Sequence, residues 1–118
     1  MSGDLKIQIA SQRAALLWVL RRDHRGRANG IAAVALARKI GRDERTLRTL
    51  ASELRAAGVA VVVLPQIGYF VAEVASEIDE YCAILRSRAL HCLVVESRLR
   101  DIPLPARLDP RDPLHLPT

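Results

Sequence analysis

Apolar residues recur at helical spacing in three stretches of the first half of the chain. Between Ile9 and Leu20, the residues Ile9, Leu16, Leu17 and Leu20, with Ala10 and Ala14 between them, predict a first helix that also carries Trp18. A polar, Gly-containing segment follows, Arg21-Arg22-Asp23-His24-Arg25-Gly26-Arg27 and then Asn29-Gly30, which reads as a loop. Ala33, Leu36, Ala37 and Ile40 then fall at i, i+3, i+4 and i+7, marking a short second helix with Arg38 and Lys39 outside and Gly41 as its stop. Asp43 is placed to cap a third helix, because its carboxylate can accept the free amide protons of the first turn. Leu47, Leu50, Leu54 and Ala57 form the inner stripe of that helix, and Arg45, Arg48, Thr49, Ser52 and Arg55 its other side, up to Gly58.

The pattern then changes. Val59 to Leu64 is a β-branched run, Pro65-Gln66-Ile67-Gly68 holds turn formers, and Tyr69 to Val74 is strand-like again, so a hairpin is predicted. Strand alternation requires one of Tyr69 and Phe70 to point inward. Ser76-Glu77-Ile78-Asp79 has a helix-start pattern, with Asp where a capping box has Glu or Gln, and a helix of about 25 residues should run to near Arg100. Ile78, Tyr81, Cys82, Leu85, Ala89, Cys92 and Leu93 are expected along one face, widened by Ile84, Leu90, Val94 and Val95 beyond what one small domain needs. That surplus predicts a homodimer built through the C-terminal helix. Beyond Ile102, Pro103, Pro105, Pro110, Pro113 and Pro117 deny the chain amide donors, and an extended or disordered tail is expected. The expected class is α+β, mainly α: residues 1–74 with three helices and a hairpin, 75–101 a long helix, 102–118 an irregular Pro-rich tail.

Length, 118 residues and 13.0 kDa, suits one domain with a modest core. Aromatic residues make up only 3%, so Leu, Ile, Val and Ala must fill that core, which favours helices. The net charge of +5 is sided: up to Gly58 there are twelve Lys or Arg against five Asp or Glu, and from Val59 onward six against eight. A basic half is what phosphate attraction uses. Cys82 and Cys92 would lie about 15 Å apart along one helix, too far for a bridge, and are expected as core thiols in a reducing compartment. No stretch approaches the roughly 18 apolar residues of a membrane span, and Met1 to Lys6 lacks the order of a secretory signal, so the cytoplasm is the expected location.

The most informative unit is Leu36-Ala37-Arg38-Lys39-Ile40-Gly41-Arg42-Asp43-Glu44-Arg45-Thr46-Leu47-Arg48. A DNA-reading helix-turn-helix needs a short support helix, a tight turn, and a second helix that is apolar inside and basic outside. Ala37 is small where two helices must approach, and Gly41 can take a positive φ in the turn. Arg45, Thr46, Arg48 and Thr49 occupy the first half of the second helix, the part that enters a major groove. Residues Ile31 to Val74 resemble the winged helix-turn-helix of the biotin operon repressor type. The likeness lies in the Leu-Ala-x-x-Ile-Gly end of the second helix, the Asp-Glu-Arg-Thr-Leu-Arg opening of the third, the Leu-Arg-Ala-Ala-Gly-Val exit and the Gly-Tyr-Phe-Val strand. With its flanking helices the chain also resembles small helix-turn-helix proteins of bacteriophages and prophages.

The resemblance implies double-stranded DNA as partner, with Arg45, Thr46, Arg48 and Thr49 facing base edges or phosphates and Arg42 and Arg38 near the backbone. Loop residues Arg25 and Arg27, with Arg21 and Arg22, are candidates for phosphate contact. The wing tip Leu64-Pro65-Gln66-Ile67 departs from the family in carrying no basic residue, which leaves Gln66 as its one groove candidate. His24, His91 and His115 are scattered and match no zinc spacing, so no metal is expected. Asp43 and Glu44 read as a cap and a favourable helix-dipole charge rather than a catalytic acid pair. Phosphate-binding glycine loops, nucleophile elbows and His-Glu zinc motifs are absent, so no enzyme, cofactor or small-molecule ligand is expected. The chain therefore reads as a small sequence-specific regulator. Two alternatives stand beside it: a winged-helix module that holds a protein partner, and an accessory protein of phage replication or recombination.

Overall fold

The computed structural model describes residues 2–103, with side chains from residue 10 onward. In chain order the elements are α1 (Ser2–Asp23), a 3-10 turn (Arg27–Asn29), α2 (Ala33–Lys39), α3 (Glu44–Ala56), β1 (Val61–Leu64), β2 (Gly68–Val71) and α4 (Ala75–Arg100). The class is mainly helical, with one two-stranded antiparallel sheet. Two compact units divide the chain, residues 1–83 and 84–118. Nearly all of the proline-rich tail expected over 102–118 lies outside the described residues.

The core of the first unit follows from the helical periodicities. Leu16 and Leu20 of α1, Leu36 and Ala37 of α2, and Leu47, Leu50, Ala51 and Leu54 of α3 are buried together with Ile31, Val61 and Tyr69. Cutting any of these leucines to alanine should cost about 2–5 kcal/mol, the usual sum of lost transfer energy and residual cavity. Ala57, expected on the α3 stripe, is exposed instead: the helix ends at Ala56, and Ala51, one turn after Leu47, takes the inner place. Helix α1 starts earlier than the apolar pattern announces, at Ser2 rather than near Ile9.

The hairpin pairs Val61 with Val71, Val62 with Phe70, Val63 with Tyr69 and Leu64 with Gly68. Tyr69 and Phe70 are both buried, at 4% and 0% exposure: the alternation sends Tyr69 into the main core, as the sequence requires of one of them, and Phe70 is covered on the opposite face. Both faces of this small sheet are covered: Val61 and Tyr69 join the main core, while Val62, Leu64 and Phe70 are buried outside it. An edge is covered too. Ile31 exchanges two backbone hydrogen bonds with Tyr69 (2.9 and 2.8 Å), and around Val71 the amide of Gly26 donates to its carbonyl while its own amide donates to the His24 carbonyl (2.9 Å each). The segment after α1 is therefore stitched to β2 rather than looped freely. Gly68 makes this possible, because at φ 93° a side chain is strained, and a Cβ there would collide with the Ile31 carbonyl.

Entry into α4 differs from the Ser76–Asp79 box that the sequence predicts. The helix starts at Ala75, and Glu77 does the capping. Its Oε1 accepts from the amides of Glu73 (2.7 Å) and Val74 (3.3 Å), and its Oε2 accepts from the amide of Arg27 (2.7 Å). A carboxylate two methylenes from the backbone reaches back over the first turn, which a serine at position 76 cannot do. These amides hold the Glu77 carboxyl below its ordinary range, those of Glu73 and Arg27 most strongly. Farther along, the apolar residues do not keep to one face. At 100° per residue, Leu85, Cys92 and Leu99 lie on one side, Leu90 and Val94 opposite, and Ile84 and Val95 between. Cys82 and Cys92 are both exposed, so they are not core thiols; they sit on a helix of which Glu77 is the sole residue buried.

Candidate nucleic-acid interface

Helix α2 closes on Gly41, whose φ of 69° lets the chain reverse. The Gly41 amide donates to the Arg38 carbonyl (3.1 Å) and the Arg42 amide to the Ala37 carbonyl (2.9 Å), so the last carbonyls of α2 are satisfied within the turn. Ala37 is 4% exposed at this approach, as its size predicts. Asp43 occupies the N-cap of α3 with extended backbone (φ −81°, ψ 167°), but its carboxylate makes no cap hydrogen bond. The nearby Thr46 hydroxyl, first among several causes, still holds that carboxyl below its ordinary range.

Burial of Leu47, Leu50, Ala51 and Leu54 decides what α3 shows on its other side. Arg45, Thr49 and Ser52 are exposed opposite that stripe, with Arg48 exposed on one flank and Thr46 half-buried on the other. Ser52, which the sequence places on the polar side of α3 without marking it for contact, lies a full turn from Arg48 and Thr49 on that same side. The Thr49 hydroxyl donates to the Arg45 carbonyl (3.3 Å), a local bond that exposed threonines make readily. Arg38 and Arg42 line a shallow concavity with Val34, Ala37, Asp43 and Glu44 at the start of α3. Among the described residues, none of Arg38, Arg42, Arg45 and Arg48 forms an ion pair. Four exposed guanidinium groups on α2, the turn and α3 are thus left to solvent.

The loop arginines are placed differently. Arg25 Nε lies 3.6 Å from the Glu73 carboxylate, and Arg27 meets Glu80 through Nε and Nη2, both at 3.3 Å. Arg22 lies over the Trp18 ring at 4.8 Å and 3.7 Å from the Asp23 carboxylate. Arg21 is exposed beside Arg25 and Glu73. Arg55, read from the sequence as part of the outer face of α3, is instead half-buried, donating to the Val61 carbonyl (2.6 Å) and lying 5.0 Å from the Tyr81 ring. That position serves packing, because the guanidinium satisfies a carbonyl where α3 gives way to β1. Gln66 is exposed at the hairpin tip in the left-handed region, φ 66°.

His24, one of three scattered histidines in the sequence, is buried at 9% exposure. Lys39 has only donors, so its Nζ donates to Nε2 (3.1 Å), and Nδ1–H then donates to the Asn29 carbonyl (2.8 Å). The bond ties α2 to the segment stitched on β2, and Lys39 is drawn toward the protein. Burial pushes the Tyr69 hydroxyl above its ordinary range, against the opposing charges of Arg55 and Arg48.

No protein-family model, curated protein or solved structure matches this chain. Among the described residues there is no cluster of His, Cys, Asp or Glu that could hold a metal ion, and no helix long and apolar enough to cross a membrane.

Proposed function

We propose that residues 1–83 form a winged helix-turn-helix that binds double-stranded DNA, α3 entering the major groove. The observation that carries this reading is the run of exposed arginines Arg38, Arg42, Arg45 and Arg48, none of them ion-paired among the described residues, around a helix whose inner face is fully used by the core. In such a docking Arg45, Thr49 and Ser52 face base edges, Arg48 and Thr46 flank them, and Arg38 and Arg42 sit on phosphates. Antiparallel strands β1 and β2 then form the wing, with Gln66 as its only polar tip residue able to reach a groove. The resemblance to phage helix-turn-helix proteins makes a small cytoplasmic transcriptional regulator the preferred role, ahead of a replication or recombination accessory.

Selection of binding sites from random duplexes, followed by titration of the selected site at several salt concentrations, tests this reading. Specific binding with a log–log salt slope of several units is expected. Equal, weak affinity for every duplex would refute sequence-specific reading by α3. A second reading, a protein-interaction module, draws on a specific feature: Trp18 and Val34 are 59% and 53% exposed. It predicts no salt-sensitive DNA affinity at all.

A further inference from the structure

We infer that the distal half of α4, from Ile84 to Arg100, pairs antiparallel with the same segment of a second copy of this chain. The inference does not depend on what α3 binds. Leu85, Leu90, Leu93, Val94, Val95 and Leu99 are all exposed, Leu93 and Leu99 to 59%. Exposed apolar side chains in this number along one helix make a surface that a partner covers. Such a segment is stable when another helix covers it.

Charge selects the occupant and its direction. Leu85, Ala89 and Leu93 form one flank of the segment, bordered by Arg86 near its start and Glu96 near its end. Parallel pairing in register sets Arg86 beside Arg86 and Glu96 beside Glu96. Antiparallel pairing about a centre near His91 sets Arg86 against the second copy's Glu96, twice, and brings Ala89 of each copy close to Leu93 of the other. Among the described residues Glu96 is held by Arg100 alone (3.1 Å), in an exposed pair within one helix, which is weak and readily exchanged. Of the two in-register pairings, only the antiparallel one therefore sets Arg86 and Glu96, the charges bordering this flank, against their opposites.

The exposed cysteines report the direction. In the antiparallel pair, Cys92 meets Cys92 of the second copy near the centre, while the two Cys82 residues lie roughly 27 Å apart along the axis. With a short bismaleimide, the Cys82→Ala chain, which keeps Cys92, should crosslink to itself; the Cys92→Ala chain, which keeps Cys82, should not. Light scattering of the full chain should give twice 13.0 kDa, and Leu93→Glu should raise the dimer dissociation constant by about 10- to 100-fold while leaving the circular dichroism unchanged. Arg86→Glu should weaken the dimer, and adding Glu96→Arg should restore it. A monomer at all concentrations, a dimer indifferent to Leu93→Glu, self-crosslinking through Cys82, or failure of the charge exchange to restore association would each overturn the proposal.

Discussion

Two groups of arginines are exposed on the first unit, and their surroundings set them apart. Arg38, Arg42, Arg45 and Arg48 stand on α2, the turn and α3 without a carboxylate partner among the described residues. Arg25 and Arg27, in the segment after α1, are held by Glu73 and Glu80, which follow them by about fifty residues in sequence. Exposed pairs of this kind are worth little in stability, yet they lower the net positive charge that a phosphate would meet. Residue type and exposure therefore do not tell a guanidinium left to solvent from one that fastens a loop; the distribution of carboxylates does.

Four sets of variants test this difference. The largest effect is expected at α3: Arg45→Ala and Arg48→Ala should each weaken binding to a selected duplex by about 1–3 kcal/mol per lost base contact, with the melting temperature unchanged. A double variant that binds like the parent removes α3 from the interface. Next comes Glu77→Ala, which strips three backbone amides of their acceptor and should lower the melting temperature by several degrees, more than any substitution of the loop arginines.

Glu77 also sets an acid limit. Its folded-state carboxyl is held below the ordinary range, so its contribution is complete above the unfolded-state pKa and is lost as pH falls through the folded-state value. A plot of melting temperature against pH should therefore drop on the acid side more steeply for the parent than for Glu77→Gln; parallel curves would mean that the carboxylate is not the acceptor that matters.

Smaller still is the expected response to replacing both Arg25 and Arg27 by alanine. DNA affinity should change less than about threefold, and a double-mutant cycle between Arg27 and Glu80 should return no more than about 1 kcal/mol of coupling. A loss as large as that of the α3 variants would place the loop on the phosphates after all. At the hairpin tip, Gln66→Gly should stabilise the fold by about 1 kcal/mol by relieving a left-handed backbone, and should leave DNA affinity untouched unless Gln66 enters a groove.

Much of the first unit was legible in the sequence because helical spacing reports burial directly. The Leu47, Leu50 and Leu54 stripe, the positive φ of Gly41 and the small Ala37 follow from local pattern, as does, in the second unit, the end of α4 at Arg100. Arg55 escaped that reading because its acceptor, the Val61 carbonyl, exists only once β1 turns back beside α3. His24 and Glu77 escaped it for the same reason, since Lys39 reaches His24 from α2 and the Arg27 amide reaches Glu77 from the segment after α1. The cysteines were misplaced by a periodicity that is real along one side of α4 but is answered by apolar residues on the other sides as well.

The sequence was enough to place the four helices and the hairpin along the chain, the inward leucines of α3 and the basic side of its first half, because these depend on contacts within a few residues. Folding decided which arginines meet a carboxylate, that Ile31 and Gly26 add themselves to the hairpin, and that Glu77 joins the post-α1 segment to the start of α4. Hydrogen bonds and ion pairs between distant segments have no periodic trace, since their geometry comes into being only when the chain has folded.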